Sequence, residues 1–173
     1  MNNWLRLDEL ENAIDNLEMC GRFLVSIDSD RRWKWGILAL HQALYGFAVC
    51  AVRGTNSLSV LRDPEDHESH LISIHEALAR CKDQDFLWPG ATALTTTPDE
   101  DRALDRLIRE FRNGFEHFRP AAWSIEVSGM PGLFRHVLRV TRGISLDSSS
   151  VRYYSSEPEG RVRKALSVAE CLL

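Results

Sequence analysis

The stretch from Arg31 to Arg53 constrains this chain more than any other. Its large apolar residues, Trp33, Trp35, Ile37, Leu38, Leu40, Leu44, Phe47, Val49 and Val52, fall on almost every face of a helix. A helix that is hydrophobic all round either runs through the middle of a bundle or crosses a membrane. At roughly 20 residues it is long enough for a bilayer. However, Lys34 lies within it and His41-Gln42 sits at its midpoint, where polar groups in lipid are costly and no second apolar stretch is present to satisfy them. The expectation is a buried central helix and no membrane partner.

Helical periodicity extends over most of the remaining chain. Leu5, Leu7, Leu10, Ile14, Leu17, Phe23 and Leu24 mark a first helix that breaks at Ser26-Ile27-Asp28-Ser29-Asp30. Gly54 to Glu68 reads as a loop, and Leu71, Ile72, Ile74, Leu78 and Ala79 as a third helix ending before Trp88-Pro89-Gly90. Thr97-Pro98-Asp99-Glu100 is a helix start: a capping hydroxyl, a proline at the first helical position and a glutamate at the capping-box position. The helix it opens carries Leu104, Leu107, Ile108, Phe111 and Phe115 and stops at Pro120. Residues Trp123 to Val127 alternate like a short extended segment, and Gly129-Met130-Pro131-Gly132 reads as a turn. A fifth helix runs through Leu133, Phe134, Val137, Leu138 and Val140. The pattern predicts an all-α, antiparallel bundle of four to five helices over residues 1–145. Residues 146–173 would add a linker and a short helix, from Arg161 to Leu173, packed on the bundle.

Charge and cysteine usage narrow the setting. Residues 1–100 carry a net charge of −7 and residues 101–173 a net +3, and all but one of the basic residues in the second part are arginines. The overall −4 argues against a general nucleic-acid coat protein, while forked guanidinium groups suit phosphate. Cys20, Cys50, Cys81 and Cys171 form no Cys-x-x-Cys pair, and Cys20 and Cys50 fall among apolar helix positions as expected of buried thiols. With no secretory signal visible at the N-terminus, a cytoplasmic protein is expected.

The chemistry concentrates in Arg112-Asn113-Gly114-Phe115-Glu116-His117, at the end of the capped helix. Histidine moves protons near neutral pH, and arginine holds charge that builds on a transferring phosphate, so the set handles a phosphodiester without a metal. On a regular helix Asn113 and His117 share a face, as do Arg112 and Glu116. Arg112 and His117 stand about 140° apart round the helix. They meet on one phosphate only if the helix end distorts or a two-fold dimer supplies the partner group. The spacing equally describes an ordinary charged helix end: an Arg112–Glu116 surface pair, a solvated face of Arg109, Glu110 and Arg112, and His117 and Arg119 complementing the dipole. Spacing alone does not decide between them.

The segment Phe111 to Phe118, placed late in an all-helical chain after a nearly all-apolar helix, resembles the Arg-x4-6-His signature of the HEPN superfamily. The Arg-Asn-x-x-x-His form of that signature occurs in metal-independent ribonucleases. The resemblance in architecture covers most of residues 1–145, whereas its specific part covers about eight. Gly114 departs from the pattern, since many members carry a polar or acidic residue there. The resemblance implies a dimeric endoribonuclease needing no cofactor, in which the ribose 2′-hydroxyl attacks the adjacent phosphorus and leaves a cyclic phosphate. Carried over, His117 is general base or acid, Arg112 stabilises the phosphorane, and Asn113 positions the imidazole or a phosphate oxygen. It also implies a toxin or defence role restrained by an antitoxin or regulatory protein. Other members of the superfamily are inactive, so a non-catalytic dimer module binding nucleotide or a protein partner stands as the alternative.

Arg135, Arg139 and Arg142 recur as one stripe on the fifth helix and, with Arg109 and Arg119, are the candidate RNA-backbone contacts; the same stripe is also what the polar face of an amphipathic helix looks like. Tyr153 and Tyr154 can stack bases or simply pack. His41 and Gln42 read as a buried, hydrogen-bonded pair, or as support for His117 from a groove. His67, His70 and His75 lack the companions of a zinc site, so no metal is expected. No phosphate loop, nucleophile elbow or dinucleotide turn is present, which argues against the common nucleotide-triphosphatase, α/β-hydrolase and dinucleotide-enzyme classes.

Overall fold

Helix α2 (Arg31–Arg53) runs through the centre of the protein, and its buried residues lie on every side of it. The computed structural model describes residues 4–5, 7–26, 29–54, 56–66, 68–117, 120 and 122–173. Although α2 has the length and composition of a membrane span, its surroundings are protein: Ile37, Leu40, Leu44 and Phe47 are wholly enclosed in one hydrophobic core.

The other helices are laid around it. Helix α1 (Glu9–Ser26) starts where the Asp8 carboxylate accepts the Glu11 N–H, and buries Ala13, Ile14, Leu17, Cys20 and Leu24. It approaches α2 so closely that a Cβ on Gly46 would lie 2.7 Å from Ala13 Cβ. Helix α3 (Ile74–Cys81) is capped by Ser73. Helix α4 spans residues 98–116 in three pieces, Pro98–Asp105, a π-helical stretch Arg106–Arg112, and Asn113–Glu116. Helix α5 spans 130–147, with Met130–Arg142 continuing into a π-helical Gly143–Asp147. Helix α6 (Ser156–Cys171) lies on α1 and buries Val162, Ala165, Leu166 and Ala169. Among the described residues there is no strand; the extended chain between α2 and α3 makes a single bridge, Leu61 to Leu71.

The all-helical expectation holds, and several boundaries move. Among the described residues five helices lie within 9–147 and a sixth follows, in line with an expected bundle of four to five helices and one added C-terminal helix. Leu5 and Leu7 precede α1 and are exposed, so its buried stripe begins later than the apolar pattern suggests. Leu71 and Ile72 belong to the extended approach to α3, because the Ser73 side chain takes the Glu76 N–H and starts the helix there. The Gly129–Gly132 turn is instead mostly first turn of α5, where Pro131 costs no hydrogen bond. The same reason moves the start of α6 to Ser156: Pro158 sits in its first turn and does not delay it to Arg161.

Side-chain polarity locks two of these junctions. The Thr97 hydroxyl accepts the Glu100 N–H, while the Glu100 carboxylate accepts the Thr97 N–H and pairs with Arg139 of α5. Arg161 of α6 reaches three α1 carboxylates, with Nη1 to Glu11 at 2.7 Å and Nη2 to Asp15 and Nε to Glu18 each at 2.9 Å. All four cysteines are free, and burial pushes the Cys20, Cys50 and Cys81 thiols up to about 12, so these three serve as protonated packing groups.

Candidate functional site

The motif occupies the last turns of α4 and begins on the final residue of the π-helical stretch. Bonding i to i+5 makes a wider turn than an α-helix, and such insertions recur at functional sites. The 100° projection of the regular helix therefore fails from Arg106 onward. Phe111 stays buried, and Arg112 is drawn under cover until 29% of its side chain is exposed. Two neighbours grip its guanidinium: Nη2 pairs with Glu116 Oε2 at 2.6 Å, and Nη1 donates to Asn113 Oδ1 at 2.9 Å. Nε is buried and has no partner among the described residues.

His41 of α2 lies near enough to this cluster for the Arg112 charge to act on it. It is buried, and its Nδ1 likewise lacks a hydrogen-bond partner among the described residues, so the expected hydrogen-bonded pair with Gln42 is not what forms. Burial pushes its pKa down to about 4, with the Arg112 cation and His75 pushing the same way. His41 is thus a neutral imidazole, and charging it would add repulsion from the Arg112 cation to the cost of desolvation.

His117 lies outside the cluster. The chain leaves helical geometry at this residue (φ −111°, ψ 53°), its N–H bonds to the Asn113 carbonyl at 2.9 Å, and its side chain is exposed. Asn113, expected to position the imidazole or a phosphate oxygen, here accepts from Arg112 through its side-chain oxygen. Within one chain, then, Arg112, Asn113 and Glu116 come together, His41 feels the Arg112 charge, and His117 projects at the helix end.

The candidate RNA-backbone arginines are mostly occupied. Arg109 pairs with Asp105 at 2.8 Å, Arg139 with Glu100, and Arg142 takes Glu170 in a fork at 2.8 and 2.9 Å. Arg135 donates to the Leu173 carbonyl. The stripe exists on α5, but its charges tie α5 to α4 and α6 rather than standing open. Arg119 lies outside the described residues, as does His67. Tyr153 donates its hydroxyl to the Ser145 carbonyl and packs, whereas Tyr154 is exposed. Among the described residues no group of three His, Cys, Asp or Glu is gathered as a metal site would require.

Sequence reasoning missed the far side of the motif. A cavity of about 580 Å³ opens between the start of α2 and segment 122–127, lined by Arg31, Lys34, Trp33, Phe115, Trp123 and Ile125 among others. Trp123 sits on the motif itself, its ring 5.1 Å from Phe115 and 6.4 Å from Phe111 between centroids. A Cβ at position 114 would lie 2.5 Å from the Trp123 ring, so only glycine admits it. Gly114 is the seat of this tryptophan. The signal was present in the alternation of Trp123, Ile125 and Val127, all three of which line the cavity. No protein-family model, curated protein or solved structure matches this chain.

Proposed function

We propose that this chain is a metal-independent endoribonuclease of HEPN type, acting as a cytoplasmic homodimer on RNA. The observation that carries the reading is the sheltered guanidinium of Arg112, held by Asn113 and Glu116 at a helix end from which His117 projects. In the reaction the 2′-hydroxyl attacks the adjacent phosphorus and its proton passes to a His117 imidazole. The P–O5′ bond breaks, and the leaving oxygen takes a proton from the second His117 of the dimer, leaving a 2′,3′-cyclic phosphate and a 5′-hydroxyl. Arg112 neutralises the phosphorane oxygens, for which the phosphate takes the place of Glu116 at Nη2. A toxin or defence role under an antitoxin or regulatory protein belongs to the same proposal.

The Arg112–Glu116 ion pair also favours a second reading, a non-catalytic helical module binding nucleotide or a protein partner, because an arginine already paired needs no substrate. Incubation of a mixed RNA pool in EDTA with wild type, Arg112→Ala and His117→Ala, each shown to be folded, separates the two. Cleavage by wild type alone, with cyclic phosphate ends and a rate loss of about 10²–10⁴ in each variant, is the expected result. Inert wild type, or equal cleavage by all three, ends the catalytic reading.

A further inference from the structure

We propose that the groove between the start of α2 and segment 122–127 receives an unpaired RNA base, with the neighbouring phosphate on Arg31 and Lys34. The choice of RNA rests on the ribonuclease reading above; the groove itself is independent of it.

The cavity, about 580 Å³, is the size of a small-ligand site and takes a nucleoside. Its walls are flat and aromatic, with Trp33, Phe115 and Trp123 joined by Ile125, Val127 and Met130. Trp123 is 37% exposed, yet its ring is fixed from behind by Gly114, Phe115 and Phe111. A large, rigid, partly exposed ring is a stacking platform with little rotamer entropy to lose, and stacking accepts any base because every base has a π-face.

Charge selects among flat ligands. Arg31 and Lys34 stand three apart at the start of α2, whose first turn holds no acid, and neither carries an ion pair among the described residues. Most arginines described elsewhere are paired with carboxylates. Lys34 Nζ rests over the exposed Trp35 ring at 5.0 Å, a contact it can leave for a phosphate. Asp30 is the single carboxylate of the lining, leaving the site net positive and able to accept from a base amino group. A cationic ligand is disfavoured by the two cations, whereas an anionic group beside a flat ring is attracted by them. Phe115 belongs to both the groove and the motif, so the groove adjoins the helix end that carries Arg112 and His117.

The test is fluorescence anisotropy of a labelled single-stranded RNA octamer and of its duplex, in EDTA, with the His117→Ala protein so that the RNA stays intact. Single strand should bind well above duplex. Trp123→Ala should weaken it about tenfold and Trp123→Phe far less. The surface pair Arg31→Gln/Lys34→Gln should lower the slope of log affinity against log salt by about 1.4. Equal binding of duplex and single strand, or unchanged affinity in both sets of variants, overturns the groove. So does a Lys34→Glu substitution that changes the oligomeric state but not RNA affinity, because the groove then seats a second chain. If wild type cleaves RNA while the groove variants behave as wild type, only the groove fails. If wild type is inert yet binds single strands through Trp123, only the ribonuclease reading fails.

Discussion

Replacing Arg161 by alanine should unfasten α6 from α1. In the structure one guanidinium, 26% exposed, serves Glu11, Asp15 and Glu18 at 2.7, 2.9 and 2.9 Å. An exposed ion pair contributes about 0.2–1 kcal/mol, so three partly sheltered ones contribute on the order of 1.5 kcal/mol. Removing the cation also leaves three carboxylates on one face of α1, at spacings of four and three, which adds repulsion of a few tenths of a kcal/mol. The expected total is about 2 kcal/mol, or roughly 4–8 °C in Tm for a domain of this length. Urea denaturation at pH 7 measures it, with Arg161→Lys as the control: a lysine keeps the charge but lacks the fork and should recover less than half.

The pH dependence carries a second check. The Arg161 hydrogen bond holds the Glu18 carboxyl below its usual range, against the opposing effect of burial. A carboxylate depressed in the folded state stabilises the fold above its unfolded pKa, about 4.3, and loses that contribution as pH falls through the folded value. The difference between wild type and Arg161→Ala should therefore be level above about pH 5 and shrink below it. Burial of His41 makes both proteins lose stability as pH falls from about 6.5, a loss complete below the folded value of about 4. That effect cancels in the difference. A loss under 0.5 kcal/mol, or one indifferent to both salt and pH, would refute the ionic account and leave only packing of the arginine stem.

Two further substitutions probe the motif helix. Gly114→Ala should cost about 1–2 kcal/mol, since the overlap with Trp123 outweighs the roughly 1 kcal/mol gained in helix propensity; in a Trp123→Ala background the same change should stabilise. Urea midpoints and tryptophan emission read both, and a stabilised single variant would show that the ring does not rest there. Thr97→Ala should lose about 1 kcal/mol by thermal melting and Thr97→Ser almost nothing, because the serine hydroxyl still accepts the Glu100 N–H. Equal losses would point to the threonine methyl instead.

What could be read in advance was whatever local chemistry dictates. The burial of α2 follows from apolar residues on all its faces, and the start of α4 follows from the Thr97–Glu100 box. Pro131 misled where position mattered more than identity: it sits in a first turn, where its missing N–H group costs nothing. The Arg112–Glu116 pair was legible from its spacing of four. The partner of Asn113 was not, because the π-helical stretch changes which side chains share a face.

The sequence by itself determined an all-helical chain with α2 at its centre, and it placed arginine, asparagine and histidine together at the end of α4, because helical period, caps and turn residues act over a few positions. Only the tertiary structure decided which charges are spent. It tied Arg139 and Arg142 to Glu100 and Glu170 and seated Trp123 on Gly114. Those contacts join residues far apart in the chain, and a guanidinium or an indole is chemically the same group whether it faces water, a carboxylate or an empty groove. Which of these it meets is fixed by how the helices pack, and no local pattern carries that information.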